Sequence, residues 1–228
     1  MKIEEIIKRY KNLDKESKNI ILEEFLEEVS ENSLLVERIC HKEKYTDEII
    51  EKSKKNIIDN FRYFIKLSED KNHKFSIRDI KDCNYNILKD IMVGGILRSD
   101  SIRLSGTDYI PPSPESAYYM LKDLEYYVNE LDKLPNKNIL EIAAYIHCEI
   151  IKIHPFEDGN GRTARAMMNY YLLRNNCMPI IIWYNVRDEY LKYNGMYFKT
   201  DDIKPYVKFL ENLLFEQYEI INEMLKRL

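Results

Sequence analysis

Apolar residues recur at three- and four-residue intervals along most of this chain, which is the spacing of one buried helix face. Over residues 3–29 the recurrence runs through Ile6, Ile7 and Tyr10, then Ile20, Ile21, Phe25 and Leu26, with acids and lysines between them. That predicts one or two amphipathic helices, with Asp14 as an N-cap. Residues 46–67 repeat the pattern through Ile49, Ile50, Ile57, Phe61, Phe64 and Ile65, behind a Thr46 or Asp47 cap. Ser76 and Asp79 have the spacing of a capping box, with Asp in place of the usual Glu, and the stripe behind them predicts a helix ending at Gly94 and Gly95. Ser113 followed by Pro114 sets up another start, with Pro at the first helical position. Residues 139–151 are apolar on most sides, as a central helix is, and lead to His154.

The helical period lapses in two places. Between residues 96 and 112, Ile102, Leu104 and Tyr109 fall among polar residues around Ser105 and Gly106, which predicts a short β-hairpin ended by Pro111 and Pro112. Residues 178–183 form a short apolar run, strand or extended loop. Beyond it, helices are predicted from Asn185 and, with Asp201 or Asp202 as cap and Pro205 in the first turn, to the end of the chain. The expected fold is a single, mainly α domain with one short β-hairpin.

The chain has 228 residues, 45% hydrophobic and 12% aromatic, enough for one good core. A net charge of −4 without a dense basic cluster argues against a nucleic-acid surface. Cys40, Cys83, Cys148 and Cys177 are widely separated and form no Cys-x-x-Cys pair, so reduced thiols are expected instead of a zinc ribbon or disulfide scaffold. Interleaved charges at the N-terminus and the lack of a long uncharged run point to a cytoplasmic protein without a membrane span.

Candidate chemistry concentrates in residues 154–165, His-Pro-Phe-Glu-Asp-Gly-Asn-Gly-Arg-Thr-Ala-Arg. The chain holds six glycines, and two stand within three positions here, which calls for a backbone reason. A Gly-Asn-Gly turn tolerates positive φ and can gather backbone N–H groups into a nest at the start of a helix, a ready anion site. Arg162 and Arg165 lie three apart on that helix and share a face. Two guanidinium groups over an anion nest suggest a polyphosphate, and Asp158 is a hard oxygen ligand placed for Mg²⁺. His154, with an unperturbed pKa of about 6.5, is a candidate proton acceptor. An EF-hand alignment puts His154, Phe156 and Arg165 where oxygen ligands are needed, and no P-loop spacing occurs. His147 reads as a satisfied core histidine.

These residues resemble the Fic family signature, His-x-Phe-x-Asp/Glu-Gly-Asn-Gly-Arg-x-x-Arg, at every fixed position. The resemblance implies transfer of AMP from ATP, with Mg²⁺, to a hydroxyl side chain of a target protein or of the enzyme itself. It implies His154 as base, Asp158 as metal ligand, Gly159, Asn160 and Gly161 as phosphate cradle, and Arg162 and Arg165 on the outer phosphates. Gly95-x-x-Arg98 and residues 102–112 resemble the family's flap, with Ile102, Arg103, Leu104, Ser105 and Gly106 as target-docking residues, and Arg187 and Tyr190 resemble a pair after the motif helix.

Ser33 and Glu37 resemble the family's N-terminal inhibitory helix, Ser/Thr-x-x-x-Glu-Gly/Asn, whose glutamate pairs with the second signature arginine, here Arg165. Arg38 departs from the Gly or Asn of that pattern, and an arginine there could compete for Glu37 or alter the turn. The implied organisation is residues 1–45 as an N-terminal segment carrying that helix and residues 46–228 as the catalytic core. Two alternatives remain, removal of AMP at the same site and an idle nucleotide-gated peptide-binding module. The target, the direction and the oligomeric state, homo-oligomer included, stay open.

Overall fold

A computed structural model describes residues 3–39, 45–104 and 107–225. Nine α-helices occur among them: α1 Ile3–Asn12, α2 Lys15–Val36, α3 Asp47–Glu69, α4 Ile77–Leu88, α5 Pro114–Asp132, α6 Ile139–Ile153, α7 Asn160–Arg174, α8 Arg187–Thr200 and α9 Lys204–Leu225. A 3-10 turn, Tyr184–Val186, leads into α8. Among the described residues no helix is long and apolar enough to cross a membrane.

Helix starts follow the capping residues. Asp14 accepts from Ser17 N at 2.8 Å and Thr46 from Ile49 N at 3.3 Å, each satisfying a first-turn donor. Ser76 and Asp79 close their box in both directions, and Pro114 opens α5 behind Ser113. Asp202 accepts from Lys204 N at the start of α9, whereas Asp201 is the left-handed C-cap of α8.

The α6–α7 pair is the centre. Nearly every residue of α7 from Asn160 to Leu173 is buried, and α6 packs along it, with Ala143, Ala144 and Ala164 permitting close approach. α3 and α4 cover one side of α7, while α8 and α9 lie against α6. One continuous apolar cluster runs from Ile6 and Ile21 at the N-terminal end to Leu214 and Tyr218 in α9, so α1 and α2 belong to the common core.

Two expectations about the chain need correction. α4 stops at Leu88 instead of reaching Gly94, because Asn56 of α3 donates to the carbonyls of Ile87 (3.2 Å) and Lys89 (2.8 Å), and Asp90 then turns left-handed at φ 59°. The hairpin is absent: no strand occurs among the described residues, and Ser105 and Gly106 lie outside them. The cause lies in Arg98, buried to 4% exposure, which spends its guanidinium on the carbonyls of Asp100, Pro112 and His154. The first limb is thereby tied to the end of α6, and the two limbs meet through the Arg98 side chain at Pro112 O instead of through a ladder of backbone bonds. Tyr109 adds a second tie, donating to Lys152 O at 3.1 Å and stacking on Phe198 at 4.4 Å.

The run over residues 178–183 is likewise extended without being a strand. Asn169 takes the place of a neighbouring strand, accepting from Ile180 N (2.7 Å) and donating to Ile180 O (2.9 Å), and Gln217 accepts from Ile181 N (2.8 Å). Cys83, Cys148 and Cys177 are buried free thiols, as expected, and Cys40 lies outside the described residues.

Candidate active site

The turn between α6 and α7 is built by its own side chains. His154 ends α6 in the left-handed conformation (φ 50°, ψ 59°), which turns the chain sharply out of the helix. Asn160 then fastens the loop: its amide donates to Phe156 O (2.8 Å) and its oxygen accepts from Phe156 N (3.0 Å), with Phe156 itself buried in the core. The Asn160 side chain is thus committed to the loop backbone. Gly159 has φ 77°, and a Cβ there would meet Asn84 Nδ2 at 2.8 Å. Asn84 donates to Asp158 O and Thr163 Oγ1 and accepts from Gly95 N, which ties the turn to α4 and to the start of the 96–112 segment.

Gly161 leaves room for a side chain instead. Its backbone is ordinary helix, but a Cβ would lie 2.0 Å from Glu37 Oε1. The Glu37 carboxylate therefore rests against the first turn of α7, where unpaired N–H groups and the helix dipole favour an anion. The Gly-Asn-Gly turn was expected to tolerate positive φ, and within it only Gly159 adopts it.

The two arginines meet different partners. Arg162 donates to Asp158 Oδ1 at 2.9 Å, and Gly159 N also donates to that oxygen. The Asp158 side chain remains 45% exposed. Arg165, 3% exposed, donates to Glu37 Oε1 (2.8 Å), Ser33 Oγ (2.9 Å), Ser33 O (3.1 Å) and Tyr190 OH (3.3 Å). Burial lowers the Arg165 pKa, and Glu37 with Tyr190 more than reverses this, leaving it raised.

His154 is only partly buried, and its Nδ1 lies 3.3 Å from Ile151 O. A carbonyl can only accept, so this contact places a proton on Nδ1 and leaves Nε2 with a lone pair. The pKa is lowered from 6.5, chiefly by burial and also by the Arg98 charge, against the Ile151 carbonyl, Glu37 and Asp158, which raise it. A neutral imidazole with a free Nε2 is the form a general base requires.

The segment expected to be inhibitory is continuous with α2. Ser33 and Glu37 share a face and both reach Arg165; Arg187 Nε donates to Val36 O (2.7 Å) and Tyr184 N to Asn32 Oδ1 (3.0 Å), holding the helix end in place. Arg38 turns left-handed, φ 58°, so that its N–H reaches Leu35 O (2.9 Å) and Ile39 N reaches Leu34 O (3.0 Å). That geometry accounts for a Gly or Asn at this position in the pattern. Arg38 makes no ion pair with Glu37 among the described residues. Of the residues expected to dock a target, Ile102, Arg103 and Leu104 follow Arg98 in the loop, with no hydrogen bond to the other described residues. Asn84 and Arg98 were missed as organisers of the turn. A signal for Asn84 existed, a polar residue in the buried row Ile80, Asn84, Leu88.

Fold and site together define a mainly α protein that presents a histidine and two arginines at a glycine-opened helix N-terminus. Residues 74–172 match the Fic/DOC family model. Over that segment the chain is similar to the Fic/DOC family. It is 34% identical over 148 residues to the protein adenylyltransferase Fic of Nematostella vectensis, covering 61% of this chain and 32% of that protein. Against the protein of the same name from Drosophila persimilis the figures are 31% over 139 residues, 60% and 27%. The chain thus spans about a third or less of the length of the curated relatives it matches. The fold is shared with a Fic domain containing signaling protein from Bacteroides thetaiotaomicron, at TM-score 0.82 and 20% identity over 96% of this chain and 93% of that one.

Proposed function

We propose that this protein is a protein adenylyltransferase held in an inhibited state by Glu37. The observation that carries the reading is the position of His154, whose free Nε2 shares one end of α6–α7 with the first turn of α7, Arg162 and Arg165. His154 Nε2 takes the proton of a target hydroxyl, the oxygen attacks the α-phosphorus of ATP, and the bond to pyrophosphate breaks. The α7 N-terminus and the arginines offset the charge that builds on the departing pyrophosphate.

The residues present fit Mg²⁺ only in part. No group of three or more candidate ligands occurs among the described residues, so Asp158 alone, through the oxygen not engaged by Arg162, would hold the ion together with phosphate oxygens and water, the usual arrangement for this metal. When bound it would supply positive charge to the phosphates. Residues 102–104, with backbone groups unpaired among the described residues, are proposed to align an extended target segment; the modified substrate would be a protein or the enzyme itself.

Inhibition follows from charge. Glu37 occupies Arg165 and the first turn of α7, so the outer phosphates of ATP lose a partner and meet a carboxylate instead. Removal of AMP would use the same Glu37 carboxylate to orient water. Incubation with α-labelled ATP and Mg²⁺ tests the reading: label should appear on protein and depend on His154. Label released from a pre-adenylylated protein, with none added, would favour the reverse reaction.

A further inference from the structure

His147 lies in α6, two turns before His154, and is fully buried. Its Nε2 is 3.0 Å from Tyr190 OH and 3.4 Å from Tyr206 OH, and Tyr206 stacks on the ring at 4.9 Å with 15° between planes. Packing alone does not explain the residue. Nδ1 is buried with no hydrogen-bond partner among the described residues, and an unpaired buried polar atom costs about 1–3 kcal/mol. An apolar ring of similar size would fill the space without that cost.

What the imidazole supplies lies on its Nε2 side. A guanidinium can only donate, so Tyr190 oxygen accepts from Arg165 Nη1 and keeps its own proton to give. His147 Nε2, at 3.0 Å, is placed to accept that proton, while the Asn194 side chain also bonds to the Tyr190 hydroxyl. Burial and the Arg165 charge push the His147 pKa well below 6.5, so the ring stays neutral and able to accept. The chain of contacts is therefore Arg165 to Tyr190 to His147. When Glu37 leaves, Ser33 and Tyr190 are the remaining partners of Arg165. Ser33 sits on the helix that carries Glu37, whereas Tyr190 is anchored through α6, the helix that also carries His154.

We propose that His147 is a positioning residue: through the Tyr190 hydroxyl it keeps the Arg165 guanidinium directed at the nucleotide phosphates once Glu37 has let go. The inference rests on the reading of Arg165 as a phosphate-binding residue. It makes His147 more than a satisfied core histidine.

The test uses the full chain carrying Glu37→Gly and reads binding of an unreactive ATP analogue and of ADP by calorimetry. His147→Phe should weaken the analogue about threefold to tenfold, the worth of one hydrogen bond, and leave ADP nearly unchanged. His147→Gln, which keeps an acceptor, should recover most of the loss. Tyr190→Phe should match His147→Phe, the two together should be no worse than either, and both should be silent on Arg165→Ala. Equal loss with Arg165→Ala present, or wild-type affinity in His147→Phe, would overturn the proposal. Should His147→Phe fail to fold, the ¹⁵N resonance of His147 Nε2 decides: it should move in Arg165→Ala and in Tyr190→Phe, and a resonance indifferent to both overturns the contact chain. Loss of analogue affinity in variants that never transfer label would retain His147 in this role and reject the transferase reading.

Discussion

The turn from His154 to Arg165 and the end of α2 from Ser30 to Ile39 meet at one guanidinium, yet they are held in opposite ways. In the turn, Asn160 bonds Phe156 and Arg162 bonds Asp158, each four residues away. At the end of α2 the bonds are remote: Glu37 meets Arg165 across 128 positions and Val36 meets Arg187 across 151. The turn carries much of its geometry in local bonds, with Asn84 and Arg98 fastening it to the core, whereas the α2 end takes its place only when the whole core has formed. Chemistry that must be right in every conformation sits in the first region, and the contact proposed to switch sits in the second.

The largest effect that separates them is loss of the base. His154→Ala should reduce label transfer by about 10²–10⁴ while leaving nucleotide binding and the melting temperature nearly intact, since the ring lies at a turn and only partly buried. The pH profile tests the same assignment. The His154 pKa is lowered, so the active neutral form prevails from below pH 6.5 upward; transfer should rise with pH through a midpoint under 6.5 and be flat at pH 7. A midpoint above 6.5 would remove His154 as the titrating base.

Next in size is the release of Arg165. Glu37→Gly should raise transfer about ten- to a hundredfold, the worth of a hydrogen bond between charged groups, and lose that gain when Arg165→Ala is added. Deleting residues 1–39 should not reproduce it. Leu34, Val36 and Ile39 are buried, and each such side chain contributes about 1.5–3 kcal/mol, so the truncated chain should melt well below the full one. The Glu37 side chain, 34% exposed, can move without the helix that bears it. Activation by truncation with an unchanged melting temperature would show that α2 is a detachable arm.

A third test addresses the self-sufficiency of the turn. Asn160→Ala strands both the N–H and the C=O of Phe156, which should cost about 1–3 kcal/mol and lower the melting temperature by several degrees. An unchanged melting temperature would mean that water satisfies Phe156 and that the turn is held from outside.

How much could be read beforehand follows the same division. Helix starts depend on residues three or four apart, and Asp14, Thr46, Ser76 and Pro114 were legible for that reason. The exceptions involve distant partners. α4 ends where Asn56 of another helix takes its last carbonyls, and the hairpin expected around Ser105 fails because Arg98 ties the segment to α6. Alternation of apolar and polar residues could not reveal a guanidinium that competes for the same carbonyls. Arg165, by contrast, was matched to Glu37 through the family pattern, which stands in for the packing that sequence spacing lacks.

The smallest effect concerns Arg38 and separates backbone from charge. A left-handed residue with a side chain costs about 1–2 kcal/mol relative to glycine, part of which glycine returns through its freer unfolded chain. Arg38→Gly should therefore stabilise the end of α2 by about 0.5–1 kcal/mol and raise the melting temperature by about 2 °C. A firmer turn seats Glu37 more fully, so basal transfer should fall by about twofold to fivefold in the parent and not at all beside Glu37→Gly. Arg38→Ala decides the cause. Alanine removes the charge and keeps the strain, so it should leave transfer unchanged; if it lowers transfer as far as glycine does, Arg38 acts by drawing Glu37 away from Arg165, and the left-handed turn is incidental to the inhibition.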